Sequence, residues 1–171
     1  MRKRAATREE ARALSHPTRL RILRLCLYEA RTNKQLAEAL MADPSSTLYH
    51  VRTLVKTGFL APQEVRRGKR GAKEIPYLAT GVSWTLDVGS DVSVKVAALD
   101  AYRAELMEAG GDAVLASTRL GVRLGPQRLE ELRRQLDEIG LQYADADDPD
   151  GVPVSLYIGL HRREHEPPTT D

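Results

Sequence analysis

The stretch from Asp43 to Gly58 reads DPSSTLYHVRTLVKTG and concentrates much of the chain's hydrogen-bonding chemistry. Leu48, Val51, Leu54 and Val55 recur at the spacing of one buried helical stripe, whereas Ser45, Ser46, Thr47, Tyr49, His50, Arg52, Thr53 and Lys56 occupy the remaining faces. Hydroxyls, an imidazole and cations along one helix suit phosphate oxygens and base edges in a major groove. An ordinary amphipathic surface helix has the same pattern, so the neighbouring elements must decide. His50 also has the chemistry of a pH sensor, but on a polar face a hydrogen-bonding role is the expectation.

Few other residues are spaced for chemistry. Cys26 is the single cysteine and has no internal disulfide partner; its place in the apolar run Ile22, Leu23, Cys26, Leu27 points to a buried structural thiol. His161 and His165 stand four residues apart with Glu164 between them, a metal-ligand spacing, yet the adjoining Arg162 and Arg163 and the following Pro167-Pro168 favour a solvated tail. The loop 145–151 begins like a calcium loop, with Asp145 and Asp147 at alternate positions. Pro149 then takes the fifth place and Leu156 that of the closing glutamate, which leaves a solvated turn. No nucleophile elbow, His-Glu-x-x-His, phosphate-binding glycine loop or dinucleotide fingerprint occurs. No metal, cofactor or catalytic residue is therefore expected, and the chain does not read as an enzyme.

The elements that would position the Asp43–Gly58 helix are legible on both sides. A short helix begins at Thr7, with Glu9 and Glu10 in its first turn, and Ser15-His16-Pro17 breaks it. A second helix runs from Pro17 to near Ala30 with Leu20, Ile22, Leu23, Cys26 and Leu27 inward and Arg19, Arg21 and Arg24 on other faces. Thr32 and Gln35 form a capping-box pattern that opens a short helix packed through Leu36, Ala37, Leu40 and Met41. Asp43 then caps a longer helix with Pro44 at its first position, and Gly58 ends it. A short helix, a tight turn and a longer polar-faced helix make a helix-turn-helix. Beyond it, Phe59-Leu60 begins an extended segment and residues 75–78 return as a strand. The cations Arg66, Arg67, Lys69, Arg70 and Lys73 stand between them with two glycines, as in a hairpin tip that approaches phosphates or a minor groove.

Charge agrees with this layout. Residues 1–80 hold 17 Lys and Arg against 7 Asp and Glu, a net of +10, whereas residues 81–171 hold 9 against 17, a net of −8. The basic half suits a polyanion, and the acidic half should point away from it. No run approaches the ~18 apolar residues that span a bilayer, and the basic start MRKRAATREEARA is followed by no apolar core of a secretory signal, so a cytoplasmic protein without a membrane partner is expected.

The run Leu14-Ser15-His16-Pro17-Thr18-Arg19-Leu20-Arg21-Ile22-Leu23, then Gln35-Leu36-Ala37, then residues 46–60, resembles the winged helix-turn-helix of ArsR-type bacterial transcriptional regulators over roughly residues 10–80. The resemblance implies a homodimer on an operator, with one helix in each major groove and a wing alongside. Carried over by position, Ser45, Ser46, Thr47, Tyr49, His50, Arg52 and Thr53 would be the recognition face, and Arg66, Arg67, Lys69, Arg70 and Lys73 the wing cations. The chain departs from the metal-sensing members, whose cysteine pair precedes the recognition helix: KQLAEALMA has no cysteine there.

In the second half, Ser90 or Asp91 caps a helix with Val92, Val96, Leu99, Tyr102 and Leu106 at alternating three- and four-residue steps, ending at Gly110-Gly111. In a winged-helix regulator this is the natural dimer interface, although the same stripe serves core packing within one chain. Leu120, Val122 and Leu124 alternate as in a strand, Gly125-Pro126 opens a helix with Leu129, Leu132, Leu136 and Ile139 inward and Gly140 as its stop, and alternation resumes from Val152 to Leu160. Val82 to Leu86 could join this layer. The expected fold class is α+β, an N-terminal winged helix-turn-helix followed by a dimerisation helix and a small C-terminal α/β unit. Residues 1–80 would be the DNA-binding domain, 81–165 the dimerisation and sensing region, and 166–171 a flexible tail. The expected function is a homodimeric transcriptional regulator reading an imperfect inverted repeat in double-stranded DNA, with room for a small-molecule effector. Its rivals are a protein-interaction or RNA-binding module and a ligand-gated regulator with a pocket in the C-terminal half.

Overall fold

Side-chain caps start the helices of the N-terminal half, and the computed structural model, which describes residues 3–67, 73–144, 146, 148 and 150–163, shows them made. Thr7 and Glu10 cap α1 (Arg8–Leu14) reciprocally: the Glu10 amide donates to the Thr7 hydroxyl at 3.2 Å and the Thr7 amide to the Glu10 carboxylate at 2.8 Å. Hydrogen bonds from Arg4 and from the Thr7 amide hold the Glu10 carboxyl down at about 2. α2 (Pro17–Leu25) starts at His16, whose Nδ1 accepts from the Thr18 amide, and stops at Leu25, five residues short of the expected Ala30. The α3 helix (Asn33–Ala39) opens on the Thr32–Gln35 capping box, and α4 (Pro44–Lys56) on Asp43, whose Oδ1 accepts from the Ser45 and Ser46 amides at 2.9 Å each.

The core draws on α1 to α4, on a small sheet, and on Leu86 and Val94 further along the chain. Ile22 and Cys26 of the α2 end, Leu36 of α3, and Val51 and Leu54 of α4 meet Phe59 and Leu60, all essentially without exposure. β2 (Arg31–Thr32), β3 (Leu60–Pro62) and β6 (Pro76–Ala79) form an antiparallel sheet in the order β2-β6-β3, with Leu60 opposite Ala79 and Arg31 opposite Tyr77. The Ala79 amide donates to the Cys26 carbonyl at 2.9 Å, which ties the sheet to the end of α2. A second antiparallel pair, β4 (Arg66–Arg67) with β5 (Lys73–Glu74), extends from it, and β1 (Arg4–Ala5) lies parallel to β7 (Leu86–Asp87). Residues 82–85, expected as strand, instead make a single 3-10 turn before β7.

α3 and α4 end in the same Schellman arrangement with different residues at the left-handed position. After α4, Gly58 takes φ +75° while the Phe59 amide reaches the Leu54 carbonyl at 2.9 Å. At the end of α3 that position is Met41, φ +49°, and the Ala42 amide reaches the Ala37 carbonyl at 2.9 Å. A side chain there costs roughly 1–2 kcal/mol against the right-handed region.

The chain divides into compact units at Leu115/Ala116, and α5 (Val92–Ala109) belongs to the first unit. It packs on α1 and α2, where Val94, Ala97 and Ala101 are buried. In the second unit the regular element among the described residues is α6 (Pro126–Ala144). It runs through Gly140, the expected stop, because glycine weakens a helix interior without ending it. Neither 118–124 nor 152–160 forms a strand, so the expected α/β layer is a helix and two irregular segments within this chain. No described helix is long and apolar enough to cross a membrane.

Because no atom lies within 4 Å of a Cβ built on Gly58, Gly58→Ala should lose about 1 kcal/mol through backbone strain alone, whereas Met41→Gly should gain up to about 1 kcal/mol. Urea unfolding of both variants checks this; equal shifts of the same sign would contradict it.

Candidate nucleic-acid interface

Both ends of α4 are tied down by polar contacts. The Asn33 side-chain amide donates to the Pro44 carbonyl at 2.9 Å, so the first turn of α4 is held to the start of α3. Lys56 Nζ lies 2.6 Å from Glu9 Oε1, which joins its last turn to α1 and raises the ammonium pKa. Between these ends, Ser45, Tyr49, Arg52 and Lys56 follow one another at helical spacing on the exposed side, with Ser46 exposed and Thr53 half-buried beside them. The Thr53 hydroxyl donates back to the Tyr49 carbonyl at 3.0 Å.

Two residues expected on that face are interior. Thr47 is 1% exposed and its hydroxyl donates to the Asp43 carbonyl at 2.9 Å; His50 is 9% exposed. Positions 47, 50, 51 and 54 follow the i, i+3, i+4, i+7 rule of a core-facing stripe, so the buried face of α4 is wider than its aliphatic residues alone indicate. That spacing was available in the sequence, where polarity outweighed it.

His50 packs against His16 with ring centroids 4.4 Å apart, and against Tyr49 at 5.6 Å. Arg19, expected on an outer face of α2, is 8% exposed: its Nε donates to the Ala13 carbonyl at 2.5 Å and its Nη2 to the Arg12 carbonyl at 2.7 Å, closing the end of α1. Burial lowers the pKa of both imidazoles, and the Arg19 charge adds to this; each ring also faces the other. Among the described residues His50 Nδ1 is buried without a hydrogen-bond partner. The interior favours neutral rings, so His50 serves to seat α4.

The β4–β5 hairpin is anchored by one of its own cations. Arg66 Nη2 donates to Gln35 Oε1 at 3.0 Å, the same oxygen that accepts from the Thr32 amide in the α3 cap. Arg67 and Lys73 stand opposite each other and are exposed. Lys69 and Arg70 lie outside the described residues, as do His165, Asp145, Asp147 and Pro149. Sequence reasoning overlooked Gln35, Asn33 and Glu9 as positioning groups; the capping-box pattern marked the first, but nothing local could reveal its second partner thirty-one residues on.

α5 carries apolar residues on two faces. Val94, Ala97 and Ala101 face α1 and α2, and Arg21 pairs with Glu108 at 2.5 Å. Of the residues expected at a dimer interface, Val92 is 69% exposed, Val96 50% and Leu99 45%, while Tyr102 and Leu106 are half-buried. Packing within the chain therefore accounts for a different stripe.

A helix pair joined by a tight turn, with the second helix presenting a hydroxyl- and cation-bearing edge, defines a helix-turn-helix domain. Residues 14–63 match a family model described as a helix-turn-helix domain, a span that takes in α2, α3, α4 and β3. No curated protein matches the chain.

Because burial depresses both imidazoles below their ordinary value of 6.5, the unfolded chain takes up protons first as pH falls. Their contribution to stability is complete above about pH 6.5 and diminishes below it. Thermal unfolding from about pH 8 to 5.5 should show a falling midpoint, with a shallower fall in His50→Gln. An identical pH profile in that variant would contradict the assignment.

Proposed function

We propose that this protein is a sequence-specific, DNA-binding transcriptional regulator of the ArsR type, acting as a homodimer by binding rather than by catalysis. The observation that carries the reading is the edge Ser45, Ser46, Tyr49, Arg52 on α4, held exposed by core packing and flanked by a hairpin of cations hydrogen-bonded to α3. Ser45 and Ser46 lie in the first turn of α4, and Tyr49 and Arg52 lie one and two turns further, a placement that lets a helix insert N-terminal end first into a major groove. Arg52 supplies a bidentate donor for guanine or phosphate, the serines and Tyr49 supply hydroxyls, and the exposed Arg67 and Lys73 with Lys69 and Arg70 would neutralise backbone phosphates as a wing.

The second apolar face of α5 supports dimerisation. Val92, Val96 and Leu99 form a stripe that water does not favour and that a twofold copy of the same helix would cover. Two α4 helices related by that axis would read the halves of an imperfect inverted repeat.

Fluorescence anisotropy of a labelled duplex against salt tests the reading. Log K should fall with log[salt] by several units, and Arg67→Ala with Lys69→Ala, Arg70→Ala and Lys73→Ala should flatten the slope by about one unit per phosphate contact removed. On a preferred duplex, Arg52→Ala or Tyr49→Phe should lose ~1–3 kcal/mol of discrimination between sequences. A slope unaffected by the hairpin substitutions, or absent altogether, would overturn the assignment.

A further inference from the structure

The β4–β5 tip is joined to the sheet beneath it by an interrupted ladder. The β3–β6 register ends at Pro62 opposite Tyr77, one further bond runs from the Gln63 amide to the Pro76 carbonyl at 2.8 Å, and pairing resumes at Arg66 opposite Glu74. Val65 and Ile75, in the gap, are exposed, so burial does little to stiffen the junction. The tip itself pairs Arg66 with Glu74 and Arg67 with Lys73, and so short a two-stranded ribbon is marginal in water on its own.

Those pairs give the ribbon two faces, because residues opposite each other project to the same side and successive residues alternate. Arg67 and Lys73 share one face, exposed and doubly cationic. Like charges opposite one another repel, and a phosphate between them relieves that. Arg66 and Glu74 share the other face, where Glu74 is half-buried and Arg66 Nη2 donates to Gln35 Oε1 at 3.0 Å. That oxygen is fixed by the α3 cap: it accepts from the Thr32 amide at 2.9 Å, while the Thr32 hydroxyl accepts from the Gln35 amide at 3.3 Å. A carbonyl oxygen has two lone pairs, and both are used. Thr32 also stands opposite Pro76 in the β2–β6 ladder, so the segment 32–35 holds both legs of the hairpin. Within the same segment, Asn33 donates to the Pro44 carbonyl at the head of α4 at 2.9 Å. One turn of chain thus references the tip and the exposed edge of α4 to the same point.

We propose that Gln35 is a positioning residue for duplex binding, and that Arg66 is the tether it holds rather than a contact to phosphate. This rests on the DNA-binding reading and deepens it. The tether sets the angle of the tip so that the Arg67 and Lys73 face meets the backbone while α4 occupies the groove. Without it the ribbon swivels at 63–65, and its cations spend contact energy on being ordered.

Salt titrations of the full chain on a labelled random-sequence duplex test it. Gln35→Met keeps the length of the side chain and removes the accepting oxygen. Although it changes no charge, it should flatten log K against log[salt] by about two units, as Arg67 and Lys73 lose their phosphates. Gln35→Glu preserves the capping box and an acceptor for Arg66, and should keep the wild-type slope. Arg66→Met leaves the α3 cap intact and should also flatten the slope by about two units, where a lone phosphate contact accounts for about one. The two methionine substitutions together should flatten it no more than either alone. An unchanged or steeper slope in Gln35→Met would overturn the tether, because it would mean that Arg66, once released, reaches phosphate itself. A loss of one unit or less in Arg66→Met, additive effects of the pair, or a slope in Gln35→Glu as flat as in Gln35→Met would overturn it too. Binding by the wild-type chain that ignores salt would overturn the DNA-binding reading itself, and the tether with it.

Discussion

Burial of the inner face of α4 is the constraint on which the rest of the first unit depends. Val51 and Leu54 are fully enclosed with Ile22, Leu36 and Phe59, and each such side chain contributes about 1.5–3 kcal/mol relative to exposure. That sum outweighs the unpartnered His50 Nδ1, whose desolvation costs about 1–3 kcal/mol, so the helix settles with Thr47 and His50 inside rather than turned toward solvent. Once this face is fixed, the side chains at 45, 49, 52 and 56 have no choice but to face outward. Polar contacts then refine the placement: Asn33 holds the first turn, Glu9 the last, and Gln35 joins the α3 cap to Arg66 of the hairpin. Specific readout of a duplex requires this kind of rigid support, because side chains on a loosely held helix would spend their contact energy on ordering it.

α5 anchors to α1 and α2 through Val94, Ala97 and Ala101 and through the Arg21–Glu108 pair, and Val92, Val96 and Leu99 stay exposed as a separate stripe. An interface built on a helix packed against α2, whose N-terminus also carries His16 against His50 of α4, would couple the spacing of two copies to the orientation of α4.

Much of the first unit was legible in the sequence because local signals and apolar period agree there. Thr7, Thr32 and Asp43 start helices where the capping residues said, Gly58 ends one, and Pro76–Ala79 returns as a strand. The misplacements have specific causes. Thr47, His50 and Arg19 read as outward-facing by their polarity, whereas spacing and tertiary packing bury them at the edge of the core. Arg66 reads as a free cation until Gln35 is brought to it across the fold. In the second unit 118–124 and 152–160 alternate as strands do, yet neither forms one, because alternation alone does not supply the backbone partner that a strand needs.

The most direct measurement is selection of bound fragments from a random duplex library by the purified full chain at ~150 mM salt, where nonspecific backbone binding is weakened. The expected result is an enriched inverted repeat whose half-sites are separated by one helical turn or a multiple of it, as two α4 helices on a twofold axis would require. Binding that persists without any enriched sequence would contradict it, and would reduce the α4 edge and the hairpin to a basic surface that reads charge alone.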